Sequence, residues 1–307
     1  MISRRNIRVK VMQTLYTLET GGQSASPEES VKILEKHFIQ TRQLFLYLIY
    51  FVVELAQYAE TDSRRRSGKH LPTYEDKNIN IKLAGNELIR KILNEPSYQK
   101  AIKTDKPQLL ENADLIKRLY QELVETEEYK KYASVTERDK KSEKEILDFI
   151  FTDLVLPNEL FEAYIEEIFT NWDDDAGMMI QLLPGFFHKP QSYDLQDMLG
   201  KEKWEFAKNL LLTAQDKREV TMDLIKPKLK NWDADRIAAI DMILMRLGVC
   251  EFLYFETIPP KVTINEYIDV AKEYSTLQSG QFVNGILDSI HKDLLRENKL
   301  HKVSYKN

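Results

Sequence analysis

Apolar residues recur at steps of three and four along most of the chain, and no long stretch alternates strictly between apolar and polar. The pattern predicts helices and no sheet. Residues 3–19 read as a first helix. Ser3 offers a cap, and Ile7, Val11, Leu15 and Leu18 form one apolar stripe before Gly21-Gly22 ends it. Ser26-Pro27-Glu28-Glu29 opens a second helix, with proline at the first helical position and acids in the first turn. It is expected to run past Phe38 towards Tyr58. The polar, basic run from Thr61 to His70, followed by Pro72, reads as a linker or exposed loop, its arginines 64–66 read first as solvated, with contact to RNA as the alternative. Residues 85–150 read as helical and charge-rich, with one exposed helix from Ala113 to Tyr132. Residues 142–187 predict two apolar helices parted near Pro157-Asn158, the second ended by Pro184-Gly185, and residues 201–300 predict four more. Asn171-Trp172-Asp173 and Asn231-Trp232-Asp233 each precede an apolar helix, an echo read as chance plus ordinary aspartate capping, with a partial duplication as the alternative.

Composition narrows the class. The chain has 307 residues, 43% hydrophobic and 30% charged, enough to bury one large core or two modest ones, and its ten glycines and ten prolines leave room for regular structure to dominate. A net charge of -5 excludes a uniformly basic nucleic-acid-binding surface, so any RNA contact must be a local patch. One such patch exists: Arg4, Arg5, Arg8 and Lys10, with no acid before Glu19. Cations near a helix N-terminus oppose its dipole. A segment that tolerates this is either frayed or matched to an anion, and phosphate suits guanidinium well. The single cysteine, Cys250, allows no intrachain disulfide and reads as a buried, inert thiol. The five histidines lack metal-ligand spacing, and no glycine-rich phosphate loop occurs, so no metal, cofactor or enzymatic chemistry is expected. No apolar signal core follows Met1, and the most apolar stretch, Leu44 to Leu55, is shorter than the roughly 20 residues of a membrane span. A cytoplasmic protein is the expectation.

Three stretches carry a family resemblance. Arg4-Arg5-Asn6-Ile7-Arg8 leading to Gln13-Thr14-Leu15-Tyr16 resembles the arginine-rich opening helix of the NusB family. Asn231-Trp232 through Ile240-Asp241, Leu244-Met245-Arg246-Leu247 and Glu251 is similar to its tryptophan and following helix. Ile258-Pro259-Pro260-Lys261-Val262-Thr263-Ile264-Asn265-Glu266 and Phe282-Val283-Asn284-Gly285-Ile286-Leu287-Asp288 resemble its I-P-x-K-V-x-I-N-E and F-V-N-G-V-L-D motifs. The resemblance covers roughly residues 1–25 and 200–296.

It implies an all-α fold of two small helical bundles. Residues 1–58 would form the N-terminal part of the core, 59–199 a helical insertion of unknown role, and 200–307 the C-terminal bundle. It also implies a transcription antitermination factor that binds single-stranded boxA RNA of nascent ribosomal transcripts. The partners implied are the ribosomal protein NusE and the antitermination complex of RNA polymerase; whether the free protein forms a homodimer stays open. Two other readings stand beside it: an RNA-binding domain protein related to rRNA methyltransferases, which would need a cofactor-binding domain that no motif here supplies, and an interaction scaffold that kept only the fold. The RNA contacts expected are Arg4, Arg5, Arg8, Lys10 and Lys261 for phosphate, Gln13 and Asn284 for base edges or backbone, and Tyr16 and Phe282 for stacking. On the residues alone, Tyr16 could equally close the bundle and Phe282 could equally be core. Asp241 and Arg246 are carried over as partner contacts, against the plainer reading of an ion pair. Trp232, Ile240, Leu244 and Leu247 read as core. Thr263 and Glu266 read as a capping box with Val262 and Tyr267 as its staple. Gly285, inside a helix, asks for close approach of a backbone or of RNA.

Overall fold

A computed structural model describes residues 2–22, 25–77, 79–229 and 237–303. Among them there is no strand; the fold is all-α, as the periodicity requires. The chain divides into two compact units. A middle unit spans Ile39–Met198, and a terminal unit joins Ile2–Phe38 to the chain from Leu199 onward.

The middle unit contains the later part of α2 (Pro27–Ser67), then α3 (Tyr74–Lys77), α4 (Glu87–Asn94), α5 (Pro96–Asp105), α6 (Ala113–Glu125), α7 (Glu127–Ser134), α8 (Lys140–Phe149), α9 (Glu159–Ile168) and α10 (Trp172–His188). Its core forms around α2, where every side chain from Leu44 to Val53 is buried. The α2 rings Phe45, Tyr47 and Phe51 meet Phe186, Phe169 and Phe161 at centroid distances of 5.7, 5.3 and 5.0 Å. An 18-residue window of α2 is apolar enough to cross a membrane, but 72% of it is buried, which makes α2 a core helix. At the edge of this core, Arg42 clamps Asp105 through two hydrogen bonds of 2.7 and 2.8 Å.

Local chemistry moves several boundaries. Helix α2 does not stop near Tyr58 but runs on through the expected loop to Ser67. Buried Asp62 takes Arg65 at 2.6 Å and Arg66 at 3.1 Å, and Glu60 takes Arg64 at 2.8 Å. These i, i+3 and i, i+4 pairs place three cations in the last turn, where the helix dipole favours them. The helix expected over 113–132 is split, because Thr126 turns extended and caps α7 by accepting from the Tyr129 amide at 3.2 Å. Residues 140–188 form three helices rather than two, the first continued by a π-helical stretch over Ile150–Val155. Pro184 sits inside α10, which ends only at His188.

The terminal unit contains α1 (Arg4–Thr20), the start of α2, α11 (Lys201–Asp216), α12 (Arg218–Ile225), α13 (Ala239–Tyr254), α14 (Pro260–Tyr274) and α15 (Ser279–Arg296), five α-helices among the described residues after residue 200, where four were expected. Helix α13 is central, packed by α1, α11, α12, α14 and α15 and buried without a break from Ile243 to Phe252. Leu244 and Leu247 are core and Ile240 is half-buried; Trp232 lies outside the described residues. Gly248 lets α15 approach, since a Cβ there would lie 2.8 Å from the Leu287 side chain.

In the middle unit, Glu54 lines a cleft of about 370 Å³ with Glu111. Burial, and then the Glu111 carboxylate, push the Glu54 carboxyl up to about 7 from 4.5. The native state therefore binds more protons than the unfolded chain across that window. The stability this protonation contributes is full below about pH 4.5 and is lost as pH rises towards 7. Glu54→Gln should flatten the fall and stabilise the protein by about 1 kcal/mol at pH 8, the screened part of the shift. Urea midpoints at pH 5 and pH 8 check this; equal pH dependence in both proteins counts against the assignment.

Candidate nucleic-acid interface

Helix α1 starts where its cap allows. Ser3 accepts from the Asn6 amide at 3.1 Å, and Asn6 Oδ1 accepts from the Ser3 amide at 3.0 Å. The first turn then holds Arg4 and Arg5 and no acid. Their unfavourable position is offset by carboxylates on other helices: Arg4 meets Glu202 at 3.1 Å, and Arg5 meets Asp269 at 3.3 Å and Glu273 at 3.0 Å.

Arg8 differs. Its side chain is 2% exposed, and Glu251 on α13 accepts from Nε at 2.7 Å and Nη2 at 3.1 Å, with Glu266 3.3 Å from Nη1. The remaining capacity of Glu251 is filled by the hydroxyls of Thr263 at 2.8 Å and Tyr267 at 2.9 Å. Burial works against the charge on Arg8, but Glu251 more than offsets it and holds the guanidinium above its ordinary pKa. Burial, reinforced by the same carboxylate, keeps the Tyr267 phenol protonated, and burial pushes the Cys250 thiol up to about 12. That thiol is an inert core group. The network also corrects the expected capping box. Pro260 is already the first residue of α14, so Thr263 and Glu266 lie within the helix and turn inward to Glu251 and Arg8, and Val262 is exposed while Tyr267 is buried.

The other candidate residues take varied positions. Lys10 is buried. Gln13 is half-buried, with its amide nitrogen enclosed and unpartnered among the described residues. Tyr16, Lys261 and Asn284 are exposed and Phe282 is half-buried. A Cβ on exposed Gly285 would meet nothing within 4 Å, so no close packing among the described residues accounts for that glycine. Asp241 and Arg246 are buried on α13 and do not pair with each other. Asp241 accepts from Ser279 at 2.7 Å, while Arg246 pairs with Glu19 and donates to the Ala214 carbonyl at 3.1 Å. Ion pairs thus join the arginines of α1 to α11, α13 and α14. The carboxylates Glu202, Glu251, Asp269 and Glu273 were not foreseen. A readable signal for part of them was the spacing of Glu266, Asp269 and Glu273, which puts three acids on one helix face.

The sequence profile described as the NusB family matches residues 185–292. The transcription antitermination protein NusB of Methylacidiphilum infernorum is 36% identical over 129 residues, 42% of this chain and 86% of that protein. The chain belongs to the NusB family. The transcription antitermination protein NusB of Finegoldia magna is 40% identical over 94 residues, 31% of this chain and 69% of the relative, and that of Salinibacter ruber is 43% identical over 98 residues, 32% and 61%. No solved structure matches. These names give a role in transcription antitermination, in keeping with the expectation from sequence. The matches cover well under half of this chain, so it is longer than these NusB relatives.

For this NusB-family chain, removing one partner of a buried ion pair leaves the other charge uncompensated. Arg8→Ala should therefore cost about 3–5 kcal/mol. Arg4→Ala, at an exposed pair, should cost at most about 1 kcal/mol. Chemical denaturation of the two variants measures the difference; similar losses would mean that Arg8 is not the structural arginine of α1.

Proposed function

We propose that the protein is an RNA-binding transcription antitermination factor that acts on boxA of nascent ribosomal RNA together with NusE, in the cytoplasm and within the antitermination complex of RNA polymerase. The observation that carries this reading is that Arg4 and Arg5 stay at the surface of a family-matched unit, held by carboxylates that are themselves exposed. Tyr16, Lys261 and Asn284 offer a stacking ring, a cation and an amide, and the open surface at Gly285 gives a backbone or base room to approach. Arg8 contributes by anchoring α1, and Asp241 and Arg246 support a partner surface by fixing α13 from within. Residues 2–38 and those from Leu199 onward serve as the family core, and 39–198, with its own core built on α2, as an insertion outside the RNA site.

Charge supports this division. Residues 39–198 hold 21 Lys and Arg against 29 Asp and Glu, a net -8, whereas the rest of the chain holds 23 against 20, a net +3. The acidity of the chain belongs to the middle unit, and the unit that would meet RNA is mildly basic.

Replacing both Arg4 and Arg5 with alanine should weaken binding of single-stranded boxA RNA. It should also flatten the salt dependence, by roughly 0.7 in log–log slope for each phosphate left without its arginine. Arg8 is left in place to preserve the fold. Unchanged affinity and slope would refute the assignment. A basic partner beside α1 should also tighten RNA binding, by about 5–150-fold, and RNA should tighten partner binding by the same factor. Titrations of boxA RNA into the protein with and without NusE test this, and equal affinities would remove the cooperative part of the proposal.

A further inference from the structure

The carboxylates around the α1 arginines are of two kinds. Glu251 is fully buried and committed to Arg8, Thr263 and Tyr267, so Arg8 cannot leave without stranding it. The Arg5 partners are different. The side chains of Arg5, Asp269 and Glu273 are 35%, 48% and 39% exposed. Each Arg5 nitrogen meets a different carboxylate, Nη1 with Asp269 and Nη2 with Glu273. A guanidinium that spreads two donors over two separate oxygens presents the fork that a single phosphate accepts.

We infer that Asp269 and Glu273 occupy the phosphate seat on Arg5 in the free protein and are displaced from it when RNA binds. This rests on the RNA-binding reading above and adds a regulation of the same site: affinity is set by an anion exchange as well as by attraction. The two acids lie four apart on α14, where like charges repel, and Arg5 relieves that repulsion. Exchange is feasible on both sides. After Arg5 turns to phosphate, Asp269 keeps Lys272, 3.8 Å away, and Glu273 returns to water. Exposed pairs of this kind are weak, so a phosphate in an RNA held at several points can displace them. A lone anion in solution gains less from the exchange, and the acids thereby raise the threshold for non-specific polyanions.

The experiment is a double-mutant cycle on the full chain, read by fluorescence anisotropy with a labelled single-stranded boxA RNA oligonucleotide. Asp269→Asn with Glu273→Gln keeps the shape and hydrogen-bonding capacity of both side chains and frees the Arg5 charge. It should tighten binding by about 2- to 30-fold, the range for releasing two exposed pairs. In an Arg5→Ala background the same two substitutions should change affinity by less than about twofold, because no seat remains to be vacated. Equal tightening with and without Arg5 would mean that the acids act only through long-range charge, and the exchange is then wrong. No tightening in the presence of Arg5 also overturns it. Both outcomes leave RNA binding by the wild-type protein intact, whereas a wild-type protein that fails to bind the RNA overturns the functional reading and this inference together.

Discussion

Arg8 and Glu251 meet in the interior of the terminal unit, and much of that unit is arranged around the need to keep both charges satisfied. Two bare charges out of water would each cost several kcal/mol, and their attraction offsets this only when every remaining donor and acceptor is filled. Here the filling groups come from a third helix: Thr263, Glu266 and Tyr267 of α14 complete what α1 and α13 begin. One ion pair therefore fixes three helices against each other and sets the rotation of α1 about its axis. Arg4, Arg5 and Arg8 share one face of α1, so it is position along the helix that decides which of them reach the surface. With Arg8 turned inward, Arg4 and Arg5, one turn earlier, stay outside on the same helix.

The same principle extends along α13. Asp241, Arg246 and Glu251 are all buried on a helix that is otherwise apolar on every side, and each is tied to a different neighbour: Ser279 of α15, Glu19 of α1, and Arg8 of α1 with α14. A uniformly apolar helix would pack in several rotations and registers with similar energy. Charged groups at steps of five residues, each with a dedicated partner, leave one arrangement without a stranded charge. The residues that resemble a partner surface in sequence thus hold the unit together internally as well, and any effect they have on a partner passes through the orientation of α13.

The middle unit solves a different problem. Its core is aromatic and apolar around α2, its few buried carboxylates, such as Asp62 and Glu143, are held by partners, and acids exceed bases over the unit as a whole. A chain of net charge -5 can thus carry a cluster of arginines on α1, because screening confines each exposed charge to its own neighbourhood of about 8–10 Å.

Local rules read from the sequence alone identified the all-α class, the cap at Ser3, Pro27 as the first residue of α2, the end of α1 at Gly21, the basic cluster and the inert cysteine, because each depends on neighbours within a turn or two. The family motifs were legible for the same reason, as fixed spacings on single helices. What escaped was whatever depended on partners far along the chain. Arg8 looked like its neighbours Arg4 and Arg5 until Glu251, 243 residues away, took it inward. Thr263 and Glu266 formed a plausible local cap until Pro260 started the helix earlier and α13 offered a buried carboxylate. The arginines at 64–66 read as a loop because three adjacent cations suggest solvent, whereas Asp62 and Glu60, one turn earlier, make them a helix end. Sequence determined which side chains were available for charge and stacking. Only the tertiary structure decided which of them were consumed in holding the helices together and which remained at the surface, because burial turns an identical guanidinium from a phosphate ligand into a structural ion.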